Sequence, residues 1–134
     1  MKKSTSPIRL IARILALAAI GFISLFALDA FGHGEPFLIQ IRNFFMHMIP
    51  SFILLIFFYI AYKRELIGGV LFILVGLVNA PWIYKHNYAM NQSIGMTVMI
   101  VCVLLSPFVV SGILFIISHY KTKGKSASKH LSSS

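Results

Sequence analysis

Histidine and carboxylate side chains are the groups in this sequence that could bind a transition metal or pass a proton. Asp29, His33, Glu35, His47 and His86, with Tyr84 and Tyr88 nearby, all fall at or near the ends of apolar runs, on one rim. His33 and Glu35 could reach one ion from a single loop, and His47 and His86 could complete its shell, because imidazole and carboxylate suit zinc and its neighbours. No H-x-x-x-H or H-E-x-x-H spacing sets two ligands on one helical face, so three separate segments would have to converge. The competing reading, that these side chains are solvated or interfacial, leaves no metal and no cofactor expected. Cys102 is the sole cysteine. It has no partner for an internal disulfide, and a lone thiol in an apolar helix lacks the cationic surroundings that would activate it.

Catalysis and proton coupling find little else to use. A transporter keeps an ionisable group inside its bundle because that costly residue carries the substrate or proton. Here Asp29 ends one apolar run, Glu65 begins another, and Asn79 is neutral. Small multidrug exporters of this length depend on a glutamate deep in their first helix, where this chain reads Leu15 to Ser24 without an acid. No serine, histidine and acid share one depth, and no Gly-rich phosphate loop appears, so an enzyme is not expected.

The elements that must position any site are set by composition. The 134 residues are 58% hydrophobic and 11% charged, with a mean hydropathy of +0.87, which no ordinary soluble domain matches. Crossing a hydrocarbon core of roughly 30 Å takes about 20 apolar residues in a helix. Four segments qualify: Ile8–Leu28, Phe44–Tyr62, Leu66–Tyr84 and Ile94–Tyr120. They are apolar on all sides, which fits helices and not the alternation of a barrel strand. The expected fold is therefore an all-α polytopic membrane protein, a four-helix transmembrane bundle over residues 1–120 and a tail over 121–134. The Lys/Ser-rich composition of that tail predicts disorder.

Charge orients the chain. Lys2, Lys3, Arg9 and Arg13 precede the first span, Lys63 and Arg64 end the second, and Lys121, Lys123, Lys125 and Lys129 follow the fourth. Only Arg42 and Lys85 fall on the other side. The positive-inside rule then puts both termini in the cytoplasm, N-in and C-in. A cleaved signal peptide is the rival reading of the N-terminus, but Ala30 is its one plausible cleavage residue and Leu28 suits that site poorly. Arg9 and Arg13, by snorkelling to the headgroups, let the first segment span. Trp82 and its tyrosine neighbours fit an interfacial belt. The net charge of +9 lies along a membrane boundary with no basic fold to present it, so nucleic acid is not an expected partner.

Small residues at spacings of four or seven mark helix contacts in lipid. The third segment offers Gly69, Gly76 and Ala80, the first Ala12, Ala16 and Ala19, and the fourth Gly95, Cys102 and Ser106. These stripes either close a single bundle or leave one face for another chain. IGGVLFI at Ile67–Ile73 is echoed by VSGILFI at Val110–Ile116, which shared packing chemistry explains better than duplication. Pro50, Pro81 and Pro107 would each free the carbonyl four residues earlier, those of Met46, Leu77 and Val103. Starting the second helix at Pro50 would leave a span of only about 20 Å, so the helix must run through the proline or the membrane must thin. With His47, Ser51, Asn79 and Ser106 nearby, the prolines suggest an irregular, partly polar outer half. The alternative is that serines and neighbouring helices satisfy those carbonyls.

ALDAF at Ala27–Phe31, HMIPSFILLI at His47–Ile56 and AYKRELIGGVLFILVG at Ala61–Gly76 resemble a family of small four-helix bacterial membrane proteins of unknown function. The resemblance covers the first three helices and fits the fourth more loosely. It implies the architecture and carries no activity or ligand. The function expected from these residues is a non-catalytic accessory or interaction subunit of a membrane assembly, partnered by the lipid bilayer and by another membrane protein or itself. The alternative is a homo-oligomeric channel or small-solute carrier with a proline-kinked outer half.

Overall fold

A computed structural model describes residues 6–31 and 34–131. Four helices run antiparallel in sequence order: α1 over Pro7–Leu25, α2 over Phe37–Lys63, α3 over Glu65–Asn91 and α4 over Ile94–Leu131. All four are long and apolar enough to cross a membrane. The chain is thus all-α with four candidate membrane spans. The start of α1, the α2–α3 junction and the end of α4 share one end of the bundle, here termed the basic end.

Local chemistry explains each boundary. Pro7 stands in the first turn of α1, where its missing N–H breaks no helical bond. α1 tightens into a 3-10 turn over Phe26–Ala30, and Phe31 turns extended. Arg64 (φ −136°, ψ 88°) alone separates α2 from α3, so the two helices meet in a tight junction. Gln92 adopts the left-handed conformation (φ 50°) that closes α3, and its N–H reaches the Tyr88 carbonyl. Asn91 Oδ1 then accepts the Ser93 N–H at 2.9 Å and the Thr97 hydroxyl at 3.0 Å, an Asx-type turn that starts α4.

These caps move several boundaries. α2 begins at Phe37 and not Phe44, and α3 continues past Tyr84 to Asn91, so His86–Asn91, outside the expected spans, is helix. Apolar composition reports where lipid ends, whereas a helix ends where its last carbonyls find other donors. The tail differs too. Helix α4 passes Tyr120 and continues to Leu131, so the described part of the 121–134 segment is helical and not unstructured. Its hydroxyls serve the helix: Thr122 Oγ1 donates to the Ser118 carbonyl at 2.9 Å and Ser126 Oγ to the Thr122 carbonyl at 3.3 Å.

Inside the bundle, small residues bring backbones together and three phenylalanines fill what remains. Ala12, Ala16, Ala19 and Ile20 of α1 are buried, as are Leu54 and Ala61 of α2. Phe72 packs between Phe108 (centroids 6.3 Å apart, 14° between planes) and Phe115 (6.1 Å, 34°). The echoed heptapeptides meet here. A Cβ added to Gly69 would stand 2.6 Å from the Gly112 carbonyl oxygen, and one on Gly112 would stand 2.6 Å from that of Gly69. Ile116 closes on Gly69, Ile73 closes on Gly112, and Phe72 faces Phe115. The two copies therefore form a local two-fold pair in which like meets like. Gly68 meets the Ala61 backbone across the α2–α3 junction. Outside, Leu, Ile, Val and Phe side chains are exposed along every helix, a surface that suits hydrocarbon and not water.

Gly69→Leu or Gly112→Leu must separate α3 from α4 or distort them, an overpacking penalty of about 1–3 kcal/mol. Both variants should lose their monodisperse peak at lower temperature in detergent. Gly95→Leu, with nothing near its Cβ position, should match the parent chain.

Candidate functional site

The charged residues of the basic end converge on one acid. Glu65 opens α3 and is 8% exposed. Being the first residue after Arg64, its side chain lies between the helices, where it forms an ion pair with Arg9 of α1. Arg9 Nη2 also donates to Thr122 Oγ1 of α4 at 3.1 Å. One guanidinium thus joins α1, α3 and α4. Arg13, one turn further along the same face of α1, lies over the Tyr62 ring with its Cζ 4.0 Å from the centroid. Its Nη2 reaches the Tyr62 carbonyl at 3.5 Å, and its Nε is buried without a hydrogen-bond partner among the described residues.

Around these groups is an open cleft of about 590 Å³. Arg9, Arg13, Lys63, Arg64 and Lys123 line it, with His119 and the hydroxyls of Thr122 and Ser126. Glu65 is the acid on its wall. Leu66 and Ile67 make an apolar side that continues into the membrane-spanning part of α3. Five cations and a nine-tenths hidden carboxylate thus line one concavity. The guanidinium and ammonium groups other than Arg9 have no acid beside them among the described residues and can only donate, a chemistry that suits an anion.

At the opposite end the described candidate metal ligands have other partners. His33 lies outside the described residues. Glu35 accepts from Asn43 Nδ2 at 3.2 Å, His47 Nδ1 contacts the Asn43 carbonyl at 2.8 Å, and His86 stacks on Trp82 (5.6 Å, 9°). Among the described residues no group of three or more His, Cys, Asp or Glu stands close enough to hold a metal.

The proline-linked polar residues line no shared interior path. Pro50, Pro81 and Pro107 all sit within continuous helices. Of their neighbours, His47, Asn79 and Ser106 are exposed on the bundle surface and only Ser51 is buried. Ser106 Oγ donates to the Val103 carbonyl at 3.3 Å, the acceptor that Pro107 frees. Ser51 instead joins helices, its hydroxyl 3.0 Å from Ser24 Oγ of α1. Among the packing candidates, Gly69 and Gly76 face α4, Ala80 is half-buried, and Gly95 touches nothing. On α4 the stripe does not close the bundle: Gly95, Cys102 and Ser106 face outward, and α4 packs through Thr97, Phe108, Ser111, Gly112, Phe115 and Ser118.

Sequence reasoning missed the cleft. Snorkelling accounts for Arg9 and Arg13 in the sequence and Glu65 there only begins an apolar run; the shared helical face of two arginines four residues apart is the signal that points to a common partner.

Residues 1–128 match a domain of unknown function, DUF7670. The chain belongs to the DUF7670 family. That match spans all four helices, including the fourth and the basic cleft. No curated protein and no solved structure matches the chain.

Removing one partner of the Arg9–Glu65 pair strands the other, so Arg9→Met and Glu65→Gln should each lower detergent stability by about 1–3 kcal/mol. The double variant should lose less than the sum, with a coupling of about 0.5–3 kcal/mol. Additive losses would mean the two side chains do not interact.

Proposed function

We propose that this chain is a non-catalytic integral membrane protein, N-in and C-in in a bacterial inner membrane, that serves as an accessory or interaction subunit of a larger membrane assembly. The observation that carries this reading is the unused face of α4. Gly95, Cys102 and Ser106 form a small-residue stripe pointing away from the bundle's own contacts. Small residues let a second helix approach closely in lipid, where close packing is the main source of association.

Asn79 supports the same reading. Gly76 packs against Val109, so Asn79 and Ser106, each three residues on toward the far end, lie at one level of α3 and α4. Asn79 is exposed, and its Nδ2 donates to the Val75 carbonyl at 2.8 Å. One N–H and the amide oxygen remain for an outside partner. An amide facing hydrocarbon is unfavourable, and a neighbouring chain that pairs with it removes that penalty. The cations gathered at the end where α1 starts and α4 finishes support the orientation through the positive-inside rule.

Blue-native electrophoresis after mild solubilisation tests the role. Co-migration with an unrelated protein, lost in Gly95→Leu and Asn79→Leu while the bundle stays folded, is the expected result. A ladder of self-multiples with ion flux in liposomes would replace this reading with the homo-oligomeric pore or carrier. The orientation has its own test in a Cys102→Ala background. A cysteine introduced by Ser133→Cys should react with an impermeant maleimide only after the cells are opened; labelling of intact cells contradicts the cytoplasmic assignment.

A further inference from the structure

We propose that the cleft at the basic end is a binding site for the phosphate of an anionic phospholipid, held by Arg13, Arg64 and Lys123 while the acyl chains leave along Leu66 and Ile67. This goes beyond the accessory role and stands or falls separately from it.

Topology alone asks only that cations flank the spans on one side. It does not ask that side chains from α1, the α2–α3 junction and α4 meet in one concavity of about 590 Å³. Of the five cations lining it, Arg9 is committed to Glu65 and Thr122. The others have no carboxylate within ion-pair distance among the described residues. Like charges held together this way repel, and an anion seated among them reverses the sign of that interaction. Arg13 is already oriented for the task. The Tyr62 ring holds its guanidinium plane, and its buried Nε lacks an acceptor. A guanidinium fork suits two phosphate oxygens.

The shape of the cleft selects a lipid over a soluble ion. Leu66 and Ile67 line it beside the basic groups, and Ile67 is exposed on the outer surface of α3. The polar pocket therefore opens onto the apolar flank of the bundle at the height where spans meet headgroups. A free phosphate would use the first surface and leave the second idle, whereas a phospholipid uses both.

The test uses the full chain in a neutral detergent and reads thermal stabilisation during titration. The probes are dioleoyl-phosphatidylglycerol, dioleoyl-phosphatidylcholine and inorganic phosphate. Phosphatidylglycerol should stabilise saturably at one lipid per chain, with phosphatidylcholine and phosphate ineffective at equal concentration. Arg13→Gln should weaken the midpoint about tenfold. Lys123→Gln, an exposed change on the last turns of α4, should weaken it in the same direction without touching the core. Arg42→Gln and Lys85→Gln, at the other end, should leave it unchanged. Stabilisation by inorganic phosphate alone would overturn the lipid assignment. Unsaturable stabilisation, or equal weakening by all four substitutions, would reduce the effect to net charge and overturn the site.

Discussion

Everything at the basic end depends on one partly dehydrated ion pair. Glu65 is the acid that the described fold buries, and Arg9 is held against it while also reaching Thr122. Taking a carboxylate out of water is unfavourable unless a cation and further donors replace the lost hydration. Arg9 supplies both, and in doing so it fixes where α1 and α4 stand relative to the start of α3. The four cations left over cannot share that single acid. The arrangement is thus stable as a joint and still electrostatically unsaturated, which is what gives the cleft its appetite for an anion.

Above that joint the chain is governed by the lack of water. Hydrophobic burial does not drive helices together when the solvent is itself hydrocarbon, so backbone proximity and shape must. The Gly69–Gly112 approach meets that need, with Ile73 and Ile116 closing over the opposite glycine and Phe72 between Phe108 and Phe115. α1 joins through Ala12, Ala16 and Ala19, and its contact with α2 is reinforced by the Ser24–Ser51 hydroxyl pair. The same reasoning marks what is left unsatisfied on the outside, the Gly95, Cys102 and Ser106 stripe and the Asn79 amide.

The fold was largely legible in the residues. Apolar length found all four helices because lipid thickness is a fixed ruler, and the need to span it carried α2 through Pro50, which the continuous helix Phe37–Lys63 bears out. The heptapeptide echo read as shared packing chemistry, and its two copies do pack on one another. Helix ends were less legible. Gln92 in a left-handed cap and Asn91 in an Asx turn shift the α3–α4 boundary, and hydropathy is blind to both. The α4 stripe stays open between the two faces in the sequence because small residues favour close contact without naming the face that receives it; the large Phe108 and Phe115 take the inner face. The cleft was hidden because arginine stems can either snorkel outward or fold inward, and only the position of Glu65 in space decides between them.

The most direct test of this account is the distance between the Arg9 guanidinium and the Glu65 carboxyl in a bilayer. The chain has two glutamates, Glu35 and Glu65, so glutamate labelled with 13C at Cδ and arginine labelled with 15N give a rotational-echo experiment with two carboxyl signals. One of them should dephase rapidly, as an ion pair of about 4 Å requires, and that dephasing should vanish in Arg9→Lys made without labelled lysine. A Glu65 signal that keeps its full intensity, or dephases equally with Arg9 replaced, would contradict the joint on which the basic end is built.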